Sequence, residues 1–513
     1  MEMPTELISR LHRAGARMWV DQGRLRVRTT HQPLQPDDVL LIQQHKAELV
    51  RILLGDGADT VQVSTRSINT APLTYRQESL WRLMRKDRTG ASRLVSRALK
   101  LSGLIDIIAL DKSFCAVADR HEALRTTIIV RRGQPHQNVT TRVASPLEVV
   151  RFPPVANDRE RIHHITQRVL HELVSTAPDP FAGPLFRAKL LVWSPEECVL
   201  AVVVHHLITD AVSMALLWKE LWQLYAAFIK EQSPTLPKVE TQSGDYATWQ
   251  RSDHFAWNLE FWQAKIEKTS RIQFPVDFAI KPSRTGPGAF YPLSLTPATS
   301  QALRDLASRE RTMLGTVILA LYATLTIYKC RQYEFALPFQ VSGRLYPQHV
   351  NMMGYFAHPL LVCIRASETD RFPQLLQQVA REFTHAQRSS DCGKLLNQVP
   401  DLFGGGLFQW FSDLAHSETQ SLAGTSDDGM PTSFSSEEYP IAIDTENAVE
   451  LVDQDIMLCL YESTGGIEGY MIYRTDLFTR DTIERLAIDL ESLCKFAASR
   501  NQDPISTFNP TTS

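Results

Sequence analysis

The 513-residue chain lacks any run of about 20 consecutive apolar residues, so no membrane span is expected. It also lacks an apolar N-terminal segment with a small-residue cleavage site, so no secretion signal is expected. Cysteine is sparse, with seven residues at Cys115, Cys198, Cys330, Cys363, Cys392, Cys459 and Cys494. The number is odd, the positions are scattered, and no pair has the spacing of a metal or redox motif. That excludes a disulfide framework and points to a reducing, cytoplasmic setting. An excess of either charge is missing too: 54 Lys and Arg against 57 Asp and Glu leave a net charge of −3. Such a mixed surface argues against nucleic acid as the main partner. The triplet Gly404-Gly405-Gly406 is followed by no Lys-Ser/Thr pair, so it reads as a hinge or bulge and not as a phosphate cradle. What remains is a chain long enough for two or three domains with substantial cores.

The most informative stretch runs from Val199 to Ser213. Val199 to Val204 is a continuous apolar run rich in β-branched residues, which predicts a buried strand. From Asp210 to Phe228 the apolar positions Val212, Leu216, Leu217, Leu221, Leu224, Tyr225 and Phe228 recur at helical spacing. His205 and His206 therefore sit where a buried strand ends and a loop leads into a helix. Adjacent strand residues point to opposite faces, so one histidine can face a cavity while the other packs. Asp210 lies at the helix start, where its charge suits the helix dipole. A metal site needs three or four converging ligands, and no other His, Cys or Asp cluster adjoins the pair, so no metal is assigned.

The N-terminal 55 residues form a separate small unit. Pro4 to His12 reads as a helix, Ala16–Val20 and Arg24–Arg28 as two strands joined by a three-residue loop at Asp21-Gln22-Gly23, and Asp37 onward as a second helix with Leu40, Leu41, Leu49, Val50, Leu53 and Leu54 in its core. Arg24, Arg26 and Arg28 alternate with Leu25 and Val27, so period-two geometry gives the arginines one face. A hairpin with a free edge and an arginine stripe suits capture of an extended acidic peptide by strand addition. Residues 56–71 are polar and aperiodic and read as a linker.

His205-His206-x-x-x-Asp210 after an apolar strand resembles the core motif of nonribosomal peptide synthetase condensation domains, in the superfamily that includes chloramphenicol acetyltransferase. Other motifs of that family occur in order. Leu73-Thr74-Tyr75-Arg76-Gln77-Glu78-Ser79-Leu80-Trp81 is similar to its opening motif, and Asp119 to Thr127 to its second. Gly244-Asp245-Tyr246-Ala247-Thr248-Trp249 is similar to the fourth, Gly343-Arg344 to the Gly-Arg element, Met353 to Leu360 to the fifth, and Gly469 to Phe478 to a late strand. There are departures: Ala211 replaces the usual Gly, Ala357-His358-Pro359 replaces Val-Asn-Thr, and no Gln-Asp-Tyr-Pro type motif is recognisable between Phe383 and Val399. The N-terminal unit, with Met18-Trp19-Val20, Gly23-Arg24-Leu25-Arg26-Val27 and His45-Lys46-Ala47-Glu48-Leu49, resembles the β-hairpin docking domains of assembly-line synthetases.

The resemblance implies an α/β fold of two chloramphenicol-acetyltransferase-like lobes in a V-shaped pseudo-dimer, residues 72–250 and 251–513, preceded by the docking domain of residues 1–55. From the residues themselves, Asp106–His121 reads as a helix, Leu303–Lys329 as a long helical stretch, Glu484–Ala498 as a closing amphipathic helix, and the Ser/Thr/Asp/Gly-rich stretch Ser417–Glu438 as a mobile loop. The resemblance makes His206 the catalytic residue, with His205 packing the other way. Asp210 is expected to pair with Arg344, and Arg120 and Arg125 to belong to an ion-pair framework near the site. Ser213, Tyr355, Ala357 and His358 are expected to line the substrate channel, and Arg24, Arg26, Arg28 and Trp19 to dock a carrier protein through its acidic C-terminal motif. The implied reaction moves an acyl chain, polyketide or peptidyl, from a carrier-bound 4′-phosphopantetheine thioester to an alcohol or amine. His206 then serves as base or as positioning group. No cofactor is expected on the chain itself. No adenylation or carrier motif follows Phe496, which fits a free-standing, chain-releasing enzyme. The rival is a catalytically silent recruitment module of the same fold, but such modules usually lose the second histidine.

Overall fold

The computed structural model describes residues 16–21, 24–29, 36–44, 46, 69–86, 94–153, 159–176, 178–251, 262–267, 269–280, 285–344, 349–388, 398–411, 434–439, 449–463, 466–499 and 503–508. The chain divides into two compact units, Met1–Asn69 and Thr70–Ser513.

In the first unit β1 (Ala16–Asp21) and β2 (Arg24–Thr29) form an antiparallel pair whose register runs from Ala16↔Thr29 to Asp21↔Arg24. Asp21 is thus the last paired residue, and two residues rather than the expected three connect the strands. Leu25 and Val27 are half-buried, as their alternation requires. Helix α1 (Pro36–Gln44) buries Asp38 and Ile42, four residues apart on one face, and exposes Val39. The expected helix at Pro4–His12, the apolar positions Leu49 to Leu54 and the linker at 56–68 lie outside the described residues.

The second unit begins with β3 (Thr70–Pro72), α2 (Tyr75–Lys86), β4 (Leu94–Gly103) and α3 (Ile107–Arg120). Asp106 caps α3, accepting from the backbone N–H groups of Ile108 and Ala109 at 2.9 Å each. Next come β5 (Thr126–Arg131), β6 (Gln134–Val139), β7 (Leu147–Arg151), α4 (Arg159–Ser175), β8 (Phe186–Ser194), β9 (Glu197–His205), α5 (Ala211–Ile229) and α6 (Ser243–Trp249). β3, β6 and β5 make a small sheet, and the main sheet of this half contains β4-β9-β8-β7.

β9 lies between β4 and β8, antiparallel to both. Its side chains divide by parity. Leu200, Val202 and Val204 join the core under α3 and α5, with Phe114, Trp218 and Trp222. Val199, Ala201 and Val203 pack with Leu170 and Leu173 of α4. A strand covered on both faces has no polar side, which explains the unbroken apolar run. Each fully buried Val or Leu contributes about 1.5–3 kcal/mol, so the end of β9 is a firm mount for the histidine loop.

The other half contains β10 (Gly286–Ser294), α7 (Pro297–Arg309), α8 (Leu314–Cys330), β11 (Glu334–Val341), β12 (His358–Arg365), α9 (Phe372–Arg388), β13 (Gly406–Phe411), β14 (Phe434–Glu438), β15 (Val449–Val452), β16 (Ile456–Ser463), β17 (Gly466–Arg474) and α10 (Arg480–Ser499). Its sheet has the order β12-β11-β13-β16-β17-β10-β15. Helix α8 is buried from Thr316 to Ile327, a core helix apolar all round. Among the described residues no single helix is long and apolar enough to cross a membrane.

Two expectations are corrected here. The single helix at Leu303–Lys329 is two helices, α7 and α8, bent by 106° at the break between them. The break has no Gly or Pro. Its turn is made by Arg311 at φ 52°, with Thr312 N–H donating to Ala307 O at 2.9 Å. Second, the end of the expected loop at Ser417–Glu438 is a strand. β14 pairs with β4, Glu438 opposite Leu99, and so extends the first half's main sheet. Tyr439 continues the pairing, its N–H donating to Ala98 O at 2.9 Å, and its hydroxyl lies 2.9 Å from His163 Nδ1. This segment, expected in the half from 251 onward, thus pairs with the sheet of the first half. Residues 412–433 lie outside the described residues.

Candidate active site

His205 is the last residue of β9 and only 1% exposed. Its Nδ1 accepts from the Leu207 N–H at 3.0 Å, and its own N–H donates to Leu185 O at 2.8 Å. It packs, as its place on the strand predicts. His206 lies on the opposite side and keeps part of its surface accessible. Its Nδ1 is 2.8 Å from the carbonyl oxygen of Thr209. A carbonyl can only accept, so Nδ1 carries the proton and Nε2 of the neutral ring holds a lone pair. Burial lowers the His206 pKa below the ordinary imidazole value, and the Arg76 charge lowers it further. The Thr209 carbonyl and Asp210 oppose the shift without reversing it. The ring of Tyr355, from the other half of the unit, lies 4.8 Å away at a 43° tilt.

Asp210 is the N-cap of α5, accepting from the Ser213 N–H at 2.8 Å. Arg344 clamps it bidentately, Nη1 to Oδ2 and Nη2 to Oδ1, both at 3.0 Å. Oδ2 also accepts from the backbone N–H groups of Phe356 and Ala357, both at 3.1 Å. Burial alone would raise the carboxyl pKa. Arg344 and these N–H donors outweigh it and hold the group below the usual carboxylate range. A carboxylate so occupied has no capacity to act as a base. Arg344 further donates to Ser342 O at 3.1 Å, to Met352 O at 3.0 Å and to Ser213 Oγ at 2.7 Å. Gly343 precedes it at φ +70°, and a Cβ there would collide with Phe356 O, so the Gly-Arg pair is a steric requirement.

The four residues expected to line a channel separate into two kinds. Tyr355 is buried, 7% exposed, with its ring against His206, and Ala357 is partly exposed with its N–H on Asp210. Ser213 does not line a channel: it is 1% exposed, and its hydroxyl donates to Gly354 O at 2.8 Å while accepting from Gly354 N–H at 3.0 Å and from Arg344. His358 is 3% exposed, with Nδ1 2.8 Å from Phe356 O, and starts β12 in the interior. Ser213 ties the start of α5 to Gly354 and Arg344, and His358 fixes the turn into β12, so both belong to the framework.

Arg120 forms an ion pair with Glu220, Nε to Oε2 at 2.9 Å, and His121 Nε2 approaches the same oxygen at 2.7 Å. Arg125 departs from expectation. Among the described residues it makes no ion pair, and it directs its guanidinium to the backbone carbonyls of Ala118, Thr140 and Asp119, which pin the chain on entering β5. Several site residues were not singled out from sequence. Gln77 Nε2 donates to Leu207 O at 2.7 Å and so supports the histidine loop from α2. Arg76 lies with its Cζ 5.1 Å over the Tyr355 ring. His349, packed against Tyr246 and Trp249, has its pKa pushed down to about 4 by burial and then by Arg344. Gln77 and Arg76 sit in the opening motif, which carried the signal. Glu220 is the one charge in the buried stripe of α5. Trp19, Arg24, Arg26 and Arg28 lie on β1 and β2, where the register sets Trp19 opposite Arg26.

A two-lobed α/β unit that presents the second histidine of a His-His-x-x-x-Asp loop, with its aspartate tied to a Gly-Arg element, defines the class. Residues 67–513 match the condensation domain family, and residues 5–54 match the TubC N-terminal docking domain. The chain belongs to the condensation domain family. Malpinin synthetase of Mortierella alpina is 25% identical over 427 residues, 81% of this chain and 5% of that protein. Enniatin synthase of Fusarium equiseti is 24% identical over 433 residues, 82% of this chain and 13% of that protein. The chain thus spans only a small fraction of the length of these curated relatives. Among solved structures, the teicoplanin X-domain bound to OxyB superposes with a TM-score of 0.72 at 23% identity, covering 86% of this chain and 96% of that one. The structure described for condensation domain-mediated chain release from the enacyloxin polyketide synthase superposes with a TM-score of 0.67, covering 99% of this chain and 98% of that one. At 18% identity it is a relative in fold and a distinct protein.

Proposed function

We propose that this chain transfers an acyl group from the 4′-phosphopantetheine thioester of a partner carrier protein to an alcohol or amine, releasing the chain as an ester or amide. The observation that carries this reading is the state of His206: a neutral imidazole, its tautomer fixed by Thr209, with Nε2 free to accept a proton. The acceptor's O–H or N–H gives its proton to Nε2 as its heavy atom attacks the thioester carbonyl. The new C–O or C–N bond forms, the C–S bond breaks, and the proton passes from Nε2 to the departing thiolate. His205 and the Asp210–Arg344 clamp hold the loop and take no proton. A positioned base of this kind contributes about 10²–10⁴-fold in rate. The enacyloxin neighbour, which acts in chain release, supports release as the outcome.

Recruitment falls to the N-terminal unit. β1 and β2 form a two-stranded sheet, and among the described residues β2 has no second partner strand. An acidic C-terminal segment of the carrier would add beside it and meet the face shared by Arg24, Arg26 and Arg28, with Trp19 opposite Arg26. The test is mass spectrometry of the product formed from a loaded carrier and candidate acceptors. His206→Ala should reduce turnover by at least about 10²-fold. Full turnover by that variant, or no product from the native protein with any loaded carrier, would overturn the reading, the latter in favour of a recruitment module.

A further inference from the structure

Arg76 is placed against local preference. It lies in the first turn of α2, the positive end of the helix dipole, where a cation is disfavoured. Among the described residues it forms no ion pair, although two neighbouring arginines, Arg82 and Arg251, both pair with Glu78. Its Nε is buried with no hydrogen-bond partner in the protein. Its guanidinium lies 5.1 Å over the ring of Tyr355, and the same ring lies 4.8 Å from that of His206. Arg76 as a whole is not sealed, since the residue keeps partial exposure. A guanidinium cannot shed its charge, and this one, hydrogen-bonded to Tyr355 but in no ion pair among the described residues, keeps donors for an anion.

Resting on the transfer reading above, we propose that Arg76 binds a carboxylate on the acceptor, so that this enzyme's acceptors are hydroxy- or amino-carboxylates. A planar guanidinium matches a carboxylate bidentately. The distance suits it: Arg76 and His206 flank one tyrosine ring, so a small acceptor anchored by its carboxylate on Arg76 can present a hydroxyl or amine to Nε2. The phosphodiester of the pantetheine arm is at the opposite end of that arm from the reacting thioester and does not meet this geometry. The Arg76 charge also helps keep His206 neutral.

The experiment offers hydroxy- and amino-carboxylates of two to seven carbons, each paired with its primary amide, to the full chain with a loaded carrier. The expected native kcat/KM ratio of carboxylate to amide is at least about tenfold, the worth of one charged hydrogen-bonded pair. Arg76→Gln should bring that ratio to about one, and Arg76→Lys should leave it between the two. The ratio does not depend on the fraction of variant that folds. A native ratio near one, or equal losses on carboxylate and amide in Arg76→Gln, overturns the proposal. A rise in half-saturating carrier concentration that is the same for every acceptor assigns Arg76 to the phosphodiester and also overturns it. Calorimetric binding of the same carboxylates without carrier separates this idea from the transfer reading. Affinity that falls about tenfold in Arg76→Gln upholds the site even where no acyl transfer occurs, and affinity unchanged by Arg76→Gln refutes it.

Discussion

Replacing Asp210 with Ala tests the framework most severely. The carboxylate accepts five hydrogen bonds: two from Arg344 and one each from the backbone of Ser213, Phe356 and Ala357. Arg344 and Asp210 side chains are 4% and 2% exposed, so solvent cannot replace what is lost. Removing one partner of a buried pair costs about 3–5 kcal/mol. With a urea slope of about 3 kcal/mol/M, the unfolding midpoint should fall by about 1–1.7 M. Arg344→Ala should sit at the lower end of that range, because Asp210 keeps three backbone donors when the guanidinium goes. The double variant should cost less than the two single changes together, with a coupling of about 1–3 kcal/mol, since neither charge is then left alone. Tryptophan fluorescence in urea reads all three. A midpoint shift below about 0.3 M for Asp210→Ala, or strict additivity in the double variant, would refute the claim that this pair holds the two halves.

Two further outcomes are expected. The acid limb of the pH–rate profile should fall below the ordinary imidazole range, because the folded pKa of His206 is lowered. Below about pH 6.5 the unfolded chain also binds a proton that folded His206 refuses. Asp210, whose folded pKa is lowered too, adds stability above the ordinary carboxylate range that is lost as pH falls further. Both terms make stability decline toward acid, and a midpoint that rises between pH 7 and pH 5 would contradict them. Charge reversal at Arg24, Arg26 and Arg28 together should raise the half-saturating carrier concentration and weaken its salt dependence. Exposed ion pairs are individually worth about 0–1 kcal/mol, so an unchanged half-saturation point would place recruitment elsewhere.

What was legible in the sequence was what local physics encodes. The β9 strand, the histidine parity and the α5 start follow from alternation and helical spacing, and the hairpin follows from its two runs. The Asp210–Arg344 pairing came from family likeness, because 134 residues of chain separate the partners. What was missed is tertiary. The break between α7 and α8 is the polar stretch Glu310-Arg311-Thr312 with no Gly or Pro to mark it, so the sequence reads on as one helix while Arg311 turns the chain at φ 52°. β14 finds its partner in β4, more than three hundred residues earlier, which no window of sequence reveals. Ser213 and His358 look like site residues by proximity to the motifs, yet both are buried, Ser213 bonded to Gly354 and Arg344 and His358 to Phe356 O. Arg76 lay inside a recognised motif, but its place over Tyr355 and its lack of an ion pair among the described residues are tertiary facts.

One carboxylate therefore sets the geometry on which the chemistry depends. Asp210 caps the helix after His206, and its other oxygen bonds hold the backbone of Phe356 and Ala357, next to the tyrosine that flanks the imidazole. Thr209, which fixes the His206 tautomer, is the residue before it. A change that moved the two halves apart at this point would have to break those bonds, and would release the tautomer and the tyrosine together. The clamp thus joins the histidine loop to the segment that carries Tyr355, while the second half's strand on β4 extends the sheet that carries β9.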